Sequence, residues 1–216
     1  MHHRANVMIV DYGMGNILSV ANAIKILGYQ PHISSAQEEL AAADAIILPG
    51  VGAFGEAVAK LNGSGLAELL FENVIAKRKP FMGICLGLQL LAKSSTEGGL
   101  HMGFGWFDAK VERLADGNGD RVPHVGWNDV HFIHDDGWFQ NIETGSHYYF
   151  DHSFHMVCDD RTAIAATSRH GGREIVAALR RDNIFACQFH PERSQNNGLR
   201  LYRNFLNYVE TTLDQC

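Results

Sequence analysis

Pro80-Phe81-Met82-Gly83-Ile84-Cys85-Leu86-Gly87-Leu88-Gln89-Leu90-Leu91 sets one cysteine between two glycines, where an apolar strand-like run meets an apolar helix-like run. A Gly-x-Cys-x-Gly turn is the thiol counterpart of the strained Gly-x-Ser-x-Gly nucleophile elbow. Small flanking residues let the backbone turn sharply, which is expected to hold the Cys85 sulfur out into solvent. The helix that follows aims its N-terminal amides at that sulfur and favours the thiolate, the form that attacks carbon. The ordinary alternative is a buried cysteine packed as a small hydrophobe. A strand that ends in such a turn belongs at the carboxyl edge of a helix-covered sheet, which points to an α/β fold.

The flanking chain has the same character. Val7-Met8-Ile9-Val10 and Ala45-Ile46-Ile47-Leu48 are short continuous apolar runs, as in strands covered on both faces. Helical patterns occupy 19–27, closed by Gly28, then about 56–60, 65–76 and 86–93. Strands alternating with helices imply a parallel sheet with ligands outside the strands' carboxyl ends. After Gly98 the character changes. Residues 99–160 are rich in Gly, His, Asp and aromatics, with short alternating runs such as Asp129-Val130-His131-Phe132-Ile133, which predicts antiparallel hairpins packed against the sheet. Segments 163–168, 174–179 and 184–189 read as closing strands, and 199–209 as a final amphipathic helix. No linker, repeat or low-complexity tract interrupts the pattern, so one domain is expected over residues 7–210.

A nucleophilic cysteine needs a base, and the base needs a group to orient it. In Ala186-Cys187-Gln188-Phe189-His190-Pro191-Glu192 an apolar run ends in a histidine with a carboxylate two positions on. The proline between them fixes its own φ and prevents the strand from continuing. His190 and Glu192 are thus expected together at a strand end, the carboxylate holding the imidazole tautomer. A third element is Pro49-Gly50-Val51-Gly52-Ala53-Phe54-Gly55, directly after the 45–48 run. Such a loop can turn backbone N–H groups toward a developing oxyanion, or cradle a phosphate. No Gly-Lys-Ser/Thr or G-x-G-x-x-G pattern accompanies it. The oxyanion role is therefore favoured, with donors from the Gly52 region and the Leu86 amide.

The 216 residues are 46% hydrophobic and 19% charged, the balance of an enzyme with a sizeable core. A net charge of −6 without any basic run argues against nucleic acid as a partner, and no apolar stretch reaches the length of a membrane span. Met1-His2-His3-Arg4-Ala5-Asn6 lacks the apolar core of a signal peptide, so a cytoplasmic location is the expectation. Cys85, Cys158, Cys187 and Cys216 show neither a disulfide framework nor a zinc spacing, and Cys187 reads as core. His131 with His134, and His152 with His155, are better read as exposed loop histidines than as metal ligands, and no cofactor is expected.

The three motifs, in this order, resemble those of the class I (triad) glutamine amidotransferases, from Met8 to about Phe205. Asp11-Tyr12-Gly13-Met14-Gly15-Asn16, Pro123-His124-Val125-Gly126-Trp127-Asn128 and Pro191-Glu192-Arg193-Ser194-Gln195 are similar to motifs of one branch, the glutaminase subunits of imidazole glycerol phosphate synthase. The resemblance implies a flavodoxin-like α/β fold, a mainly parallel central sheet flanked by helices with added antiparallel strands. It implies catalysis by Cys85, His190 and Glu192, an oxyanion hole at Gly52 and Leu86, and L-glutamine as substrate. Gln89, Glu97 and Ser153 match positions that contact glutamine; the family more often has tyrosine where Phe154 stands. Asn16, Trp127, Asn128, Tyr149 and Arg193 match the docking face for a cyclase subunit that receives ammonia and makes imidazole glycerol phosphate. Arg193 replaces the usual lysine and Asp151 a usual apolar residue, so a different synthase partner, as in surface-polysaccharide pathways, is the alternative.

Overall fold

The computed structural model describes residues 4–116, 121–133 and 137–215. The chain opens with β1 (Val7–Val10), α1 (Ile17–Ile26), β2 (His32–Ser34), α2 (Gln37–Ala42), β3 (Ala45–Gly50), α3 (Phe54–Gly63) and α4 (Leu66–Leu70). A π-helical turn, Phe71–Ala76, leads to β4 (Phe81–Cys85) and the single-turn helix α5 (Leu86–Gln89). Then come β5 (Ser94–Ser95), β6 (His101–Met102), β7 (Ala109–Arg113), β8 (His124–Phe132), β9 (Ser146–His152) and β10 (Phe154–Cys158). The last elements are β11 (Ile164–His170), β12 (Arg173–Arg181), β13 (Ile184–Cys187) and α6 (Gln195–Leu213).

The main sheet runs β2-β1-β3-β4-β13-β12-β11-β8-β9. From β2 to β13 the pairings are parallel, and from β13 to β9 they are antiparallel. The parallel part is a doubly wound sheet whose order reverses at β1, and ligand sites of such sheets lie beyond the strands' carboxyl ends. Period-two alternation splits each apolar run between two cores. Met8, Val10, Ile46 and Leu48 face one core with Leu40, Phe54, Leu61 and Leu70 from α2, α3 and α4. Val7, Ile9, Ala45 and Ile47 face the other with Val20 and Ile24 of α1 and Leu201, Phe205 and Val209 of α6. That is why these strands read as unbroken hydrophobic stretches.

Differences from the sequence reading have local causes. β2 is an exposed edge strand without an apolar run, and α2 buries only Leu40, so neither carries a strong periodic signal. The β8–β9 hairpin extends the main sheet through β11 instead of packing against it. A second sheet, β10-β7-β5-β6, supplies the packed layer; it is mixed, antiparallel at β10–β7 and β5–β6 but parallel at β7–β5, with Val111 and Met156 in the first core. The helix after the elbow ends at Gln89 because the carbonyls that would continue it are taken by residues 104–107: Phe104, Phe107 and Gly105 amides donate to Leu90, Leu91 and Ala92 oxygens at 2.8, 3.0 and 3.0 Å. α6 begins before 199 because the chain re-enters a helix directly after the 3₁₀ turn Pro191–Arg193. A Cβ on Gly198 would lie 1.8 Å from the Pro191 oxygen, so this close approach requires glycine.

Candidate active site

The elbow forms where β4 ends. Cys85 has φ 54° and ψ −107°, a strained conformation for a residue with a side chain and one that recurs at functional turns. The surrounding glycines are demanded by close approach. A Cβ on Gly87 would sit 1.9 Å from the Leu48 oxygen, and one on Gly83 would sit 2.9 Å from the Gly87 oxygen. The sulfur is not held out into solvent as the sequence suggested. Cys85 is only 6% exposed and lies in a pocket of about 490 Å³, because the β3 loop and β13 wall it in.

His190 and Glu192 follow β13, the strand beside β4. His190 Nδ1 lies 2.8 Å from Glu192 Oε1, with both side chains almost fully buried. Burial opposes a charge on the imidazole, but negative charge on Cys85, its hydrogen bond and the Glu192 carboxylate together raise the His190 pKa to about 10. The imidazolium is therefore favoured opposite the sulfur. Backbone bonds fix this segment: the His190 amide donates to the Tyr149 oxygen at 2.8 Å, and Ser194 Oγ donates to the His190 oxygen at 2.6 Å.

Gly52, Leu86, Gln89, Glu97 and Ser153 all line the pocket with Cys85 and His190, while Glu192 stands behind the histidine. Gly52 has φ +107°, a conformation that L side chains rarely adopt. Glu97 lines the pocket and accepts the Phe54 amide at 2.8 Å, which fixes its carboxylate at the start of α3. Gln89 donates to the Phe154 backbone oxygen at 2.8 Å, so the aromatic ring at 154 is not what engages it.

The pocket mouth also takes in Asn16 and Arg193, which joins it to the surface expected for docking. Half-exposed Trp127 meets Tyr149 edge to face, with ring centroids 6.1 Å apart. The Arg193 guanidinium lies over the Tyr149 ring at 3.9 Å and pairs with Asp151 at 3.6 Å. The two departures, Arg193 and Asp151, thus face one another. Asn128 is set apart from this group. Strand alternation turns Val125 and Trp127 outward and His124 and Asn128 inward, where Asn128 Nδ2 contacts His124 Nε2 at 3.1 Å and donates to the Arg169 oxygen at 2.8 Å.

The glutamine amidotransferase class-I family matches residues 8–208. The chain belongs to that family. It is 43% identical over 205 residues to "Imidazole glycerol phosphate synthase subunit HisH 2" of Vibrio vulnificus, covering 94% of this chain and 95% of that one. The HisH subunit of Rhodopirellula baltica is 44% identical over 199 residues, with 92% and 96% covered, and that of Leptospira interrogans 40% over 203 residues, with 91% and 97%. Among solved structures, PurLQS from Thermotoga maritima superposes with a TM-score of 0.75 at 23% identity, covering 96% of this chain and all of that one. A glutamine amidotransferase crystal structure matches with a TM-score of 0.70 at 22% identity, covering 94% and 99%. Both structural likenesses support the single-domain α/β amidotransferase fold. Among the described residues no helix is long and apolar enough to cross a membrane.

Three groups escaped the sequence reading. Gln188 is fully buried and its Nε2 lies 3.6 Å from Cys85 Sγ; its signal was an amide inside the apolar run 184–189. Tyr12 places a buried hydroxyl, without a hydrogen-bond partner among the described residues, where a Gly50 Cβ would stand, 2.4 Å away. His152, expected as an exposed loop histidine, is buried at the end of β9 against His124, because even-numbered positions of that strand face the interior. His155 is half-buried and His131 is exposed, whereas His134 lies outside the described residues.

Proposed function

We propose that this chain is the glutaminase subunit of an imidazole glycerol phosphate synthase, acting in histidine biosynthesis in the cytoplasm. It hydrolyses L-glutamine to glutamate and ammonia and passes the ammonia to a cyclase subunit, which makes imidazole glycerol phosphate and AICAR. The functional unit spans residues 7–210 and uses no cofactor. The observation that carries this reading is the buried Cys85–His190–Glu192 constellation at the pocket whose mouth Asn16 and Arg193 border. The names of the near-full-length relatives support the pathway.

In this reading the Cys85 thiolate attacks the side-chain carbonyl carbon of glutamine. Amides at Leu86 and the Gly52 region stabilise the tetrahedral oxyanion. The His190 imidazolium gives its proton to the departing nitrogen, so the C–N bond breaks to leave ammonia and a glutamyl thioester. Neutral His190 then takes a proton from water as its oxygen attacks the thioester, and glutamate leaves with the cysteine restored. Glu192 keeps the imidazole oriented and stabilises its charged form. Glu97 and Ser153 offer a carboxylate and a hydroxyl to the α-amino acid end of the substrate, and Gln89 an amide.

Glutamate and imidazole glycerol phosphate formation by the full chain with its cyclase tests the proposal. Wild type should give both products from glutamine, whereas Cys85→Ala should give the second only when ammonia is added. A chain that hydrolyses glutamine normally after loss of the sulfur overturns the site. Ammonia transfer only to a different synthase would instead favour the surface-polysaccharide reading.

A further inference from the structure

The interior holds a second polar constellation that the triad does not use. His124 and His152 are both buried, with His124 Nδ1 3.0 Å from His152 Nε2. The His124 ring is sandwiched between Phe150, with centroids 4.5 Å apart, and His170, at 4.3 Å. We propose that His124 and His152 are positioning residues that tie the docking strand β8 to Gln89 and, through Gln188, to the Cys85 sulfur. This proposal rests on the glutaminase reading above and adds how partner docking reaches the site.

Hydrogen counting fixes the direction of every bond. The Phe154 carbonyl can only accept, so His152 Nδ1, at 2.8 Å, must donate to it. A neutral imidazole has one N–H, which leaves His152 Nε2 as an acceptor and makes His124 Nδ1 its donor. His124 Nε2 is then also an acceptor, and the Asn128 amide supplies the hydrogen at 3.1 Å. Asn128 cannot be turned around: its other hydrogen goes to the Arg169 oxygen, and its Oδ1 accepts the Asp129 amide at 2.9 Å. Burial and the adjacent His124 hold the His152 pKa down at about 3, which keeps that ring neutral as the chain requires.

The far end is equally constrained. The Phe154 oxygen also accepts from Gln89 Nε2, whose second hydrogen goes to Gln188 Oε1 at 3.1 Å. Gln188 is thereby oriented with its Nε2 toward Cys85 Sγ, 3.6 Å away. Gln89 consequently turns its Oε1, an acceptor, to the pocket it lines, and so favours a donor group of the ligand there. Asn128 and Cys85 are thus joined by six directional bonds through His124, His152, the Phe154 carbonyl, Gln89 and Gln188. The opposite face of β8 carries exposed Val125 and Trp127. A partner seated there moves the strand whose inner face starts the relay. Reversal of any one bond would set donor against donor or acceptor against acceptor, so the chain passes displacement on instead of absorbing it.

The test compares variants in the full chain with its cyclase subunit. His124→Phe keeps a flat ring but leaves His152 Nε2 unpaired, while His124→Asn keeps a donor near the Nδ1 position. For His124→Phe the acceleration of glutaminase by the partner should fall about tenfold, and KM for glutamine should rise. Partner Kd should change less than twofold. His124→Asn should recover part of the acceleration. A His124→Phe chain accelerated as wild type overturns the relay. Ring ¹⁵N chemical shifts of the unmutated protein at neutral pH decide it even where a variant misfolds: both histidines should carry the proton on Nδ1, and an Nε2–H tautomer on either refutes the proposal. A wild-type complex without glutaminase activity would overturn the proposed function instead, and the tautomers would still decide the relay.

Discussion

Cys85 is the sulfur proposed to react, and the other described cysteines stand in contrast to it. Burial and the carboxylates of Asp160 and Asp159 push the Cys158 thiol up to about 12, and full burial raises Cys187 well above its ordinary value. Cys85 stands at the strained elbow with an imidazolium opposite. A glutamine-like electrophile should therefore label Cys85 and leave Cys158 and Cys187 unmodified, as mass spectrometry of the digested protein would read. The base carries its own signature. His190 is raised to about 10, so the stability this charge contributes is fully present below the unfolded value of about 6.5 and is lost as pH rises through about 10. The alkaline limb of kcat/KM for hydrolysis, which reports the free protein, should lie near that upper value. Glu192→Gln removes one raising charge and should move the limb to lower pH with a modest loss of kcat. His190→Asn removes the proton carrier and should cost roughly 10⁴-fold or more. pH–rate profiles of the three proteins test the assignment, and an unmoved limb in Glu192→Gln would count against Glu192 as the orienting group.

At the scale of elements, the loop after β3 and the β8–β9 hairpin matter most. Gly87→Ala would press a methyl group against the Leu48 backbone oxygen and force the elbow away from β3. The expected cost is about 1–3 kcal/mol in denaturant unfolding, together with displacement of the Leu86 amide proposed as an oxyanion donor and a loss of roughly 10²-fold or more in kcat. The hairpin should show its buried histidine in acid. An unfolded histidine takes up its proton near 6.5, whereas folded His152 resists until about 3. The fold therefore loses stability as pH falls between those values, by up to about 1.4 kcal/mol per pH unit from this one group. Urea unfolding from pH 7 to 4 should show a shallower slope, by about one proton, for His152→Asn than for wild type.

At the scale of the whole molecule, the pocket reaches Asn16 and Arg193 on the surface proposed for docking, so in this reading partner and substrate can be coupled without a long path. A glutaminase that ran freely would release ammonia into water, where protonation removes its nucleophilicity. The isolated chain should hydrolyse glutamine slowly, and a docked, ligand-bound cyclase should raise the rate by roughly 10²–10³-fold, about the effect of one oxyanion donor. Trp127→Ala should weaken that response more than it lowers the unfolding midpoint, because the indole is half exposed beside Tyr149. Glutaminase kinetics with and without the partner measure both effects. A lone chain that already runs at the rate of the complex would contradict the gating.

The elbow, the His-Pro-Glu turn and the glycine-rich loop after β3 were legible in the sequence because each is local. Glycine, proline and a reactive side chain at fixed spacing constrain the backbone within a few residues, and the unbroken apolar runs at 7–10 and 45–48 announce strands covered on both faces. The edge strand β2 and short helix α2 were not legible, since neither buries enough to impose a pattern. Nor was the depth of Cys85, which is set by elements distant in the chain. The same holds for Gln188, Tyr12 and the His124–His152 pair. The residues they meet lie in other elements, and only the sheet register that brings β8 against β9 and β13 against β4 decides which polar groups come together. The sequence by itself determined which reactive side chains stand at each strand end. The tertiary structure decided which inward-facing polar residues connect those ends, because burial without water leaves each donor to find its acceptor within the protein.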